Sequence, residues 1–506
     1  MRGKLIAGAA MALPLLLGAV PLPAAAQTFK IALREDPDIL DPATGGSYVG
    51  RIVFAGMCDK LFDYDTKLDI VPQLATGYEY KDPTHLIVHL RPNVTFQDGE
   101  KFDADAVKYT LIRDMTMPKS LRKGQLNAVS SIEVIDPLTV ELVLKAPDSP
   151  LVAQLAGRPG IIVAPDVAKK EGAEFGLHPV CAGPFRFVQR IPEQKIVLER
   201  WPGYWDAKSI HFDQLVYVPI VNSAVRLANL QSGAVDLDEY VVPTDVPTVK
   251  KDPKLKLAIS WSPGYDGITF NVGRGPKAKS PIGESALLRE AFDRSIDRKA
   301  LIQVVYDGLY DAIAQANPPG SPFFIPSIQP LPRDIPLAKK LVAESGFKPP
   351  VEVDMMVPNS PDILQAAQVI QSMVRPAGFD LKIEAMEFAS SLARGHAGDF
   401  QAYLIGWSGR ADADSNMYSF LYTGQGFNFG GYSDPVVDKL LTEARLYTDV
   451  AKRNQIYEKV WLEVRTTTPL IYLWALKDIV GMQKNVMGFR QVPDGIIRLQ
   501  GMSIAK

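Results

Sequence analysis

Tyr403-Leu404-Ile405-Gly406-Trp407-Ser408-Gly409-Arg410-Ala411-Asp412-Ala413-Asp414 reads as a short buried strand that ends in Gly-Trp and opens into a loop of small residues. The loop carries one arginine and two aspartates two positions apart. A large aromatic, a flexible backbone and paired carboxylates at a strand end suit the grip of an amine-bearing ligand. The same residues also fit a surface turn with solvated acids beside a core tryptophan. The surrounding chain decides between them.

Downstream, Asp434 can cap a helix with Pro435 at its first position, placing Val437, Leu440, Leu441 and Ala444 on one face. A second helix buries Ile456, Val460 and Val464, and Ile471–Trp474 returns as a strand. Upstream, helices over Leu287–Leu301 and Ile363–Val374 bracket a strand over Val351–Val357. The first half is different in character. Leu86, Val88 and Leu90 alternate with polar residues, Val94 to Gly99 ends in the turn signal Asp-Gly, and Val134 to Leu142 has the form of a hairpin. Asp103 or Asp105 can cap a helix through Val107 and Leu111. Hairpins early and helix–strand alternation late predict a mixed α/β protein of more than one lobe.

Length supports that reading. Arg2, Lys4, the apolar run Leu5–Val20 and the small-residue exit Pro21–Ala26 read as a secretory leader cut after Ala26, leaving about 480 residues, more than one core usually serves. No cysteine follows the cut, so a lipid anchor is not expected. With 55 basic against 57 acidic side chains there is no footprint for nucleic acid or an anionic membrane. The two cysteines, Cys58 and Cys181, form one disulfide in an oxidising compartment or remain two buried thiols.

Catalytic machinery is hard to find. There is no Gly-x-Ser-x-Gly elbow, no His-Glu-x-x-His helix and no glycine-rich phosphate loop with a lysine. The five histidines are scattered, so neither metal nor cofactor is expected. A secreted hydrolase using the Asp412/Asp414 region is the enzymatic alternative, but acids two apart in a loop set no particular separation. A periplasmic chaperone or sensor partner is a third class.

Several segments, taken in order, resemble one family: the extracytoplasmic solute-binding proteins of ABC transporters, family 5, the peptide- and nickel-binding branch. They include Pro72-Gln73-Leu74-Ala75, Leu90-Arg91-Pro92-Asn93-Val94-Thr95-Phe96-Gln97-Asp98-Gly99 and Lys101-Phe102-Asp103-Ala104-Asp105-Ala106-Val107. Cys181-Ala182-Gly183-Pro184-Phe185, Tyr204-Trp205, Leu230-Gln231-Ser232-Gly233-Ala234-Val235-Asp236, Arg289 to Arg298, Gly406-Trp407 and Asp434-Pro435 continue the series. The resemblance implies an α/β fold of the periplasmic binding protein type II kind. Two lobes would close about a hinge on a ligand, with an extra subdomain inserted in the first lobe. By analogy, the first lobe takes residues 27–57, 175–265 and 480–506, the insert 58–174 and the second lobe 266–479. Crossover strands fall near Tyr265–Asn271 and Ile471–Val480. A Cys58–Cys181 disulfide would then tether the insert to the first lobe. The implied partners are a peptide or small-molecule ligand and the permease subunits of an ABC importer in the inner membrane, with a periplasmic monomer expected.

In peptide-binding members the strand-end Gly-Trp and the acids after it line the pocket, and an aspartate pairs with the ligand's α-amino group. The matching positions are Trp407 and Asp412, with Asp414 second, either as a ligand contact or as the cap of a helix beginning near Asn416. Ala413 replaces the usual proline between the acids. Gly46 and Tyr48 match a ligand-contacting loop, and Tyr265 and Asn428 are further candidates. The dipeptide-specific branch has an arginine after the strand matched by Val351–Val357, and here Pro358-Asn359-Ser360-Pro361-Asp362 has none. Arg410 or Arg394 could substitute. A longer peptide or another cationic or polar solute is favoured over a clamped dipeptide, with a nickel chelate or other non-peptide solute as the alternative.

Overall fold

A computed structural model describes residues 27–505, so the leader read over residues 1–26 lies outside the described residues. One 11-stranded sheet runs through two lobes. In the first lobe Thr28–Leu33 lies parallel to Gln214–Pro219, which is followed by antiparallel Lys195–Arg200 and Phe185–Ile191. In the second, Val351–Pro358 lies parallel to both Phe379–Met386 and Ala402–Trp407. Leu255–Phe270 and Leu470–Gln483 join the halves, paired antiparallel from Leu255 opposite Gln483 to Thr269 opposite Leu470. The first starts well before the expected crossover and ends at Phe270, one residue short of it, and the second extends beyond its expected bounds at both ends. A register shift between Trp261 and Tyr265 absorbs Ser262, Pro263 and Gly264 without ending the strand.

Each part has its own apolar core. Phe29, Ile31, Leu33, Leu215, Tyr217 and Val480 pack together in the first lobe. Ile268, Phe270, Val353, Leu404 and Leu473 do so in the second, beside an aromatic-rich core holding Tyr265, Trp407, Trp461 and Tyr472. A third group, with Leu86, Val88, Leu90, Val107, Leu111 and Leu142, lies under a separate four-stranded antiparallel sheet. That sheet orders Ala75–Asp82, His85–Leu90, Thr139–Leu144 and Val129–Asp136. The period-two burial of Leu86, Val88 and Leu90 is the alternation that the sequence predicts for a strand with one buried face.

Local signals account for most element ends. Asp103, not Asp105, caps the helix Ala104–Thr116 by accepting from Ala106 N at 3.1 Å. Asp434 accepts from Val436 N and Val437 N and starts Pro435–Ala444. The single helix expected over Leu287–Leu301 is two, Ala286–Arg294 and Arg298–Tyr306. Asp297 caps the second through Ala300 N at 3.0 Å, a competing local hydrogen bond that ends one helix and begins the next.

Cys58 and Cys181 form a disulfide across 123 residues, with Cα atoms 4.9 Å apart. Gln97 braces it. Its amide nitrogen donates to the carbonyls of Met57, Gly183 and Phe185, while its oxygen accepts from Cys181 N at 3.1 Å. A Cβ on Gly183 would stand 2.3 Å from the Met57 carbonyl carbon, so this close crossing of two chains admits glycine only. Among the described residues no helix is long and apolar enough to cross a membrane.

Candidate functional site

A cavity of about 430 Å³ lies between the lobes, within the range of small-ligand sites. Gly46 and Tyr48 reach it from the first lobe, Trp407, Phe427 and Asp362 from the second, and Tyr265, Asp266, Tyr472 and Asp478 from the two crossover strands.

Four of the sequence-predicted residues meet there: Gly46, Tyr48, Tyr265 and Trp407. Asp38 shapes the loop before Tyr48 by accepting from Gly46 N at 2.6 Å and Ser47 N at 3.1 Å. Tyr48 begins the helix Tyr48–Met57 and donates to Gly495 O at 2.8 Å. Trp407 Nε1 donates to Asn416 Oδ1 at 2.9 Å, which fixes an indole packed against Phe420 and Phe427. Tyr265 packs edge-on to Tyr472, and its buried hydroxyl has no hydrogen-bond partner among the described residues.

Asp412, Asp414 and Asn428 do not line the cavity. Arg453 takes the Asp412 carboxylate in a two-pronged pair, both bonds 2.7 Å, and Asp412 also accepts from Asp414 N at 2.8 Å. An acid held this way is not a free anchor for an amine, which corrects the role expected of it. Asp414 is not the cap of Asp414–Leu421. It is 1% exposed and paired to Arg445 through two bonds of 2.7 Å. Asn428 braces its own loop by donating to the carbonyls of Tyr422 and Tyr432. Arg394 pairs with Glu384 and Asp399 away from the site.

The acids that face the cavity are others. Seven carboxylates and three cations line it. Two of the cations are already claimed: Arg34 by Glu239 through two bonds of 2.8 Å, and Arg226 by Asp238 at 2.9 Å. Lys477 stands 4.0 Å from Asp311. Of the seven acids, Asp36 alone has a cation within 4.0 Å among the described residues, namely Arg190. Glu35, Glu193, Asp266, Asp362, Glu387 and Asp478 have none.

Asp266 sits deepest in this chemistry. A Cβ on Gly406, the residue opposite it, would stand 2.1 Å from Asp266 Oδ1, so the glycine of Gly-Trp makes room for the carboxylate. Trp474 Nε1 donates to its other oxygen at 2.8 Å. Burial, and then the nearby Asp362 charge, push its pKa up to about 7 against the pull of that hydrogen bond. Asp362 accepts from Tyr240 OH at 3.1 Å. Burial holds Glu35 and Asp478 well above the usual carboxylate range, although Arg34 opposes it in both. Asp478 Oδ2 has no partner among the described residues. In the sequence Tyr265-Asp266-Gly267 only the tyrosine stands out as a binding candidate. Strand alternation would put Asp266 on the opposite face, but a register shift between Asp266 and Gly267 lets both reach the cavity.

The sequence profile of the bacterial extracellular solute-binding proteins, family 5 Middle, matches residues 69–429. A glutathione-binding protein, GsiB, from Pectobacterium atrosepticum is 27% identical over 496 residues, covering 95% of each chain. The structure of the binding protein AgaA from A. tumefaciens R10 with agropinic acid superposes with a TM-score of 0.87 at 26% identity, covering 95% of this chain and 99% of that one. DppA from Helicobacter pylori with the peptide STSA gives a TM-score of 0.86 at 23% identity over 95% and 98%, a likeness of fold. The chain belongs to the bacterial extracellular solute-binding proteins of family 5, a periplasmic ABC-importer component that captures a small solute between two lobes for delivery to a membrane permease.

Proposed function

We propose that the captured solute carries a protonated amine or guanidinium, as peptides and many peptide-like compounds do. The observation that carries this reading is the imbalance of the cavity wall: six lining carboxylates have no cation within 4.0 Å, whereas Arg34 and Arg226 are already paired. Asp266, Asp362 and Asp478 form the acidic side and Trp407, Phe420, Phe427 and Tyr265 the aromatic side, where a cation also gains from ring faces. Glutathione and the peptide STSA, named for two relatives, both bear an α-amino group. A ligand touching both lobes favours closure through contacts that the open state lacks. No ligand-binding role is retained for Asp412, Asp414 or Asn428.

The residue blocks 27–57, 175–265 and 480–506 are assigned to the first lobe, 58–174 to an insert and 266–479 to the second lobe. The separate sheet and core within residues 58–174 support the insert. The protein is expected to act as a monomer.

Isothermal titration with glutathione, a tetrapeptide and a polyamine tests the reading. Asp266→Asn is expected to weaken the best amine-bearing ligand by ten-fold or more, from a charge-assisted bond of about 1.5–3 kcal/mol. The ammonium needs ionised Asp266, so below pH 7 it competes with a proton. Affinity in the native protein is expected to rise between pH 6 and 8 as Asp266 ionises, with proton release on binding, and the slope is expected to flatten in Asp266→Asn. Unchanged affinity in that variant would remove the acidic anchor from the account.

A further inference from the structure

We propose that the captured solute carries two basic nitrogens, and that Asp478 receives the second of them, further along the crossover strands from Asp266. This rests on the acidic anchor at Asp266 argued above and goes beyond it, because a single ammonium held there leaves Asp478 unmet.

Both acids belong to the strand pair that joins the lobes. Asp266 lies opposite Trp474 in the pairing of Leu255–Phe270 with Leu470–Gln483, and Trp474 Nε1 reaches across to its carboxylate. Asp478 follows Trp474 at an even spacing on the same strand, so both side chains leave one face. Four residues of strand span about 13 Å. Ser262, Pro263 and Gly264, which disturb the register here, are extra on the partner strand, so the spacing along Leu470–Gln483 is kept.

Asp478 lines the same cavity, is 8% exposed, and has a buried Oδ2 without a hydrogen-bond partner among the described residues. Arg34 is taken by Glu239, and Lys477, the neighbour of Asp478 in the chain, is turned to Asp311 at 4.0 Å. Room is kept beside the carboxylate. Gly495 has a φ of 70°, and a Cβ on it would stand 2.9 Å from Asp478 Oδ1 and 2.1 Å from the Tyr48 hydroxyl. Gly406 does the same for Asp266, so each acid has a glycine that clears its space. The two are separate centres. Burial raises the pKa of both, and the acid that adds to it differs, Asp362 for Asp266 and Asp494 for Asp478. A buried carboxylate without a partner is costly, and a ligand cation seated on it offsets that cost. The matching solute is a diamine, a polyamine, or a peptide whose basic side chain stands well away from its α-amino group.

Isothermal titration of the mature protein compares octamethylenediamine with the amino alcohol of the same chain length, in which a hydroxyl replaces one amine. The diamine is expected to bind about ten-fold or more tighter, from the added charge-assisted contact. In Asp478→Asn, or in Asp478→Ser should the first variant not fold, that ratio is expected to fall to about two-fold, the statistical advantage of a second equivalent end. Binding of both amines with a native ratio of about two-fold or less overturns the second subsite and leaves the Asp266 anchor standing. A large ratio that survives unchanged in the Asp478 variant overturns the assignment to Asp478. No binding of either compound removes both readings together.

Discussion

Arg445→Met is expected to destabilise the protein by about 3–5 kcal/mol, because it removes one partner of a buried ion pair and leaves the other charged. Arg445 is 6% exposed and Asp414 1%. Beyond its two bonds to Asp414, Arg445 donates to Asn127 Oδ1 at 2.6 Å and Gly124 O at 3.3 Å, and stacks 3.4 Å over the Tyr418 ring. Its own carbonyl accepts from Ser149 N at 2.8 Å, and Gln154 Nε2 donates to Asp414 at 3.1 Å. Gly124, Asn127, Ser149 and Gln154 all come from the part of the chain with the four-stranded sheet, whereas Asp414, Tyr418 and Arg445 come from the second lobe. Losing Arg445 should therefore loosen the contact between two bodies as well as lower stability. Urea denaturation measures the first effect and small-angle scattering the second. The double variant Arg445→Met with Asp414→Leu should recover most of the loss, since no uncompensated charge remains. A cost below about 1 kcal/mol would show that solvent already reaches the pair.

Removing the disulfide by Cys58→Ala with Cys181→Ala is the second large effect. A crosslink enclosing a segment of 123 residues restrains the unfolded chain by about 4–5 kcal/mol in the loop-entropy account. The bond closes the segment that carries the four-stranded sheet, and both cysteines lie in the core that also holds Phe29 and Leu215. Gln97 would keep its four hydrogen bonds in the variant, and the folded arrangement should survive. Equilibrium unfolding is expected to show a lower midpoint with an increased denaturant slope, as a less restrained unfolded chain exposes more surface. An unchanged midpoint would mean that native strain offsets the entropic gain.

Much of the fold was legible because its signals are local. Asp434-Pro435 starts a helix, and Leu86, Val88 and Leu90 alternate into a core wherever the strand sits. Gly406 and Trp407 line the cavity, and the glycine clears space for Asp266 on the neighbouring strand, which shows only in three dimensions. The roles of the acids were not legible. Asp412 looks like an open anchor until Arg453, 41 residues on, takes its carboxylate, and Asp414 looks like a cap until Arg445 does the same. Asp266 was hidden by a strand irregularity that breaks simple alternation. Asp362 and Asp478 sit in segments with no motif, and only their shared cavity brings them together. Charge-pairing partners lie far apart in sequence, so local reading found the acids and could not tell which were free.

The central claim is that this cavity selects a solute bearing a basic nitrogen. Native mass spectrometry of the protein purified from exporting cells, followed by denaturing release and accurate-mass analysis of what it carried, tests that claim most directly. The expected result is a released compound with a protonatable amine or guanidinium, held less tightly by Asp266→Asn than by the native protein. A released sugar or other compound without a basic nitrogen, retained equally by both proteins, would contradict it.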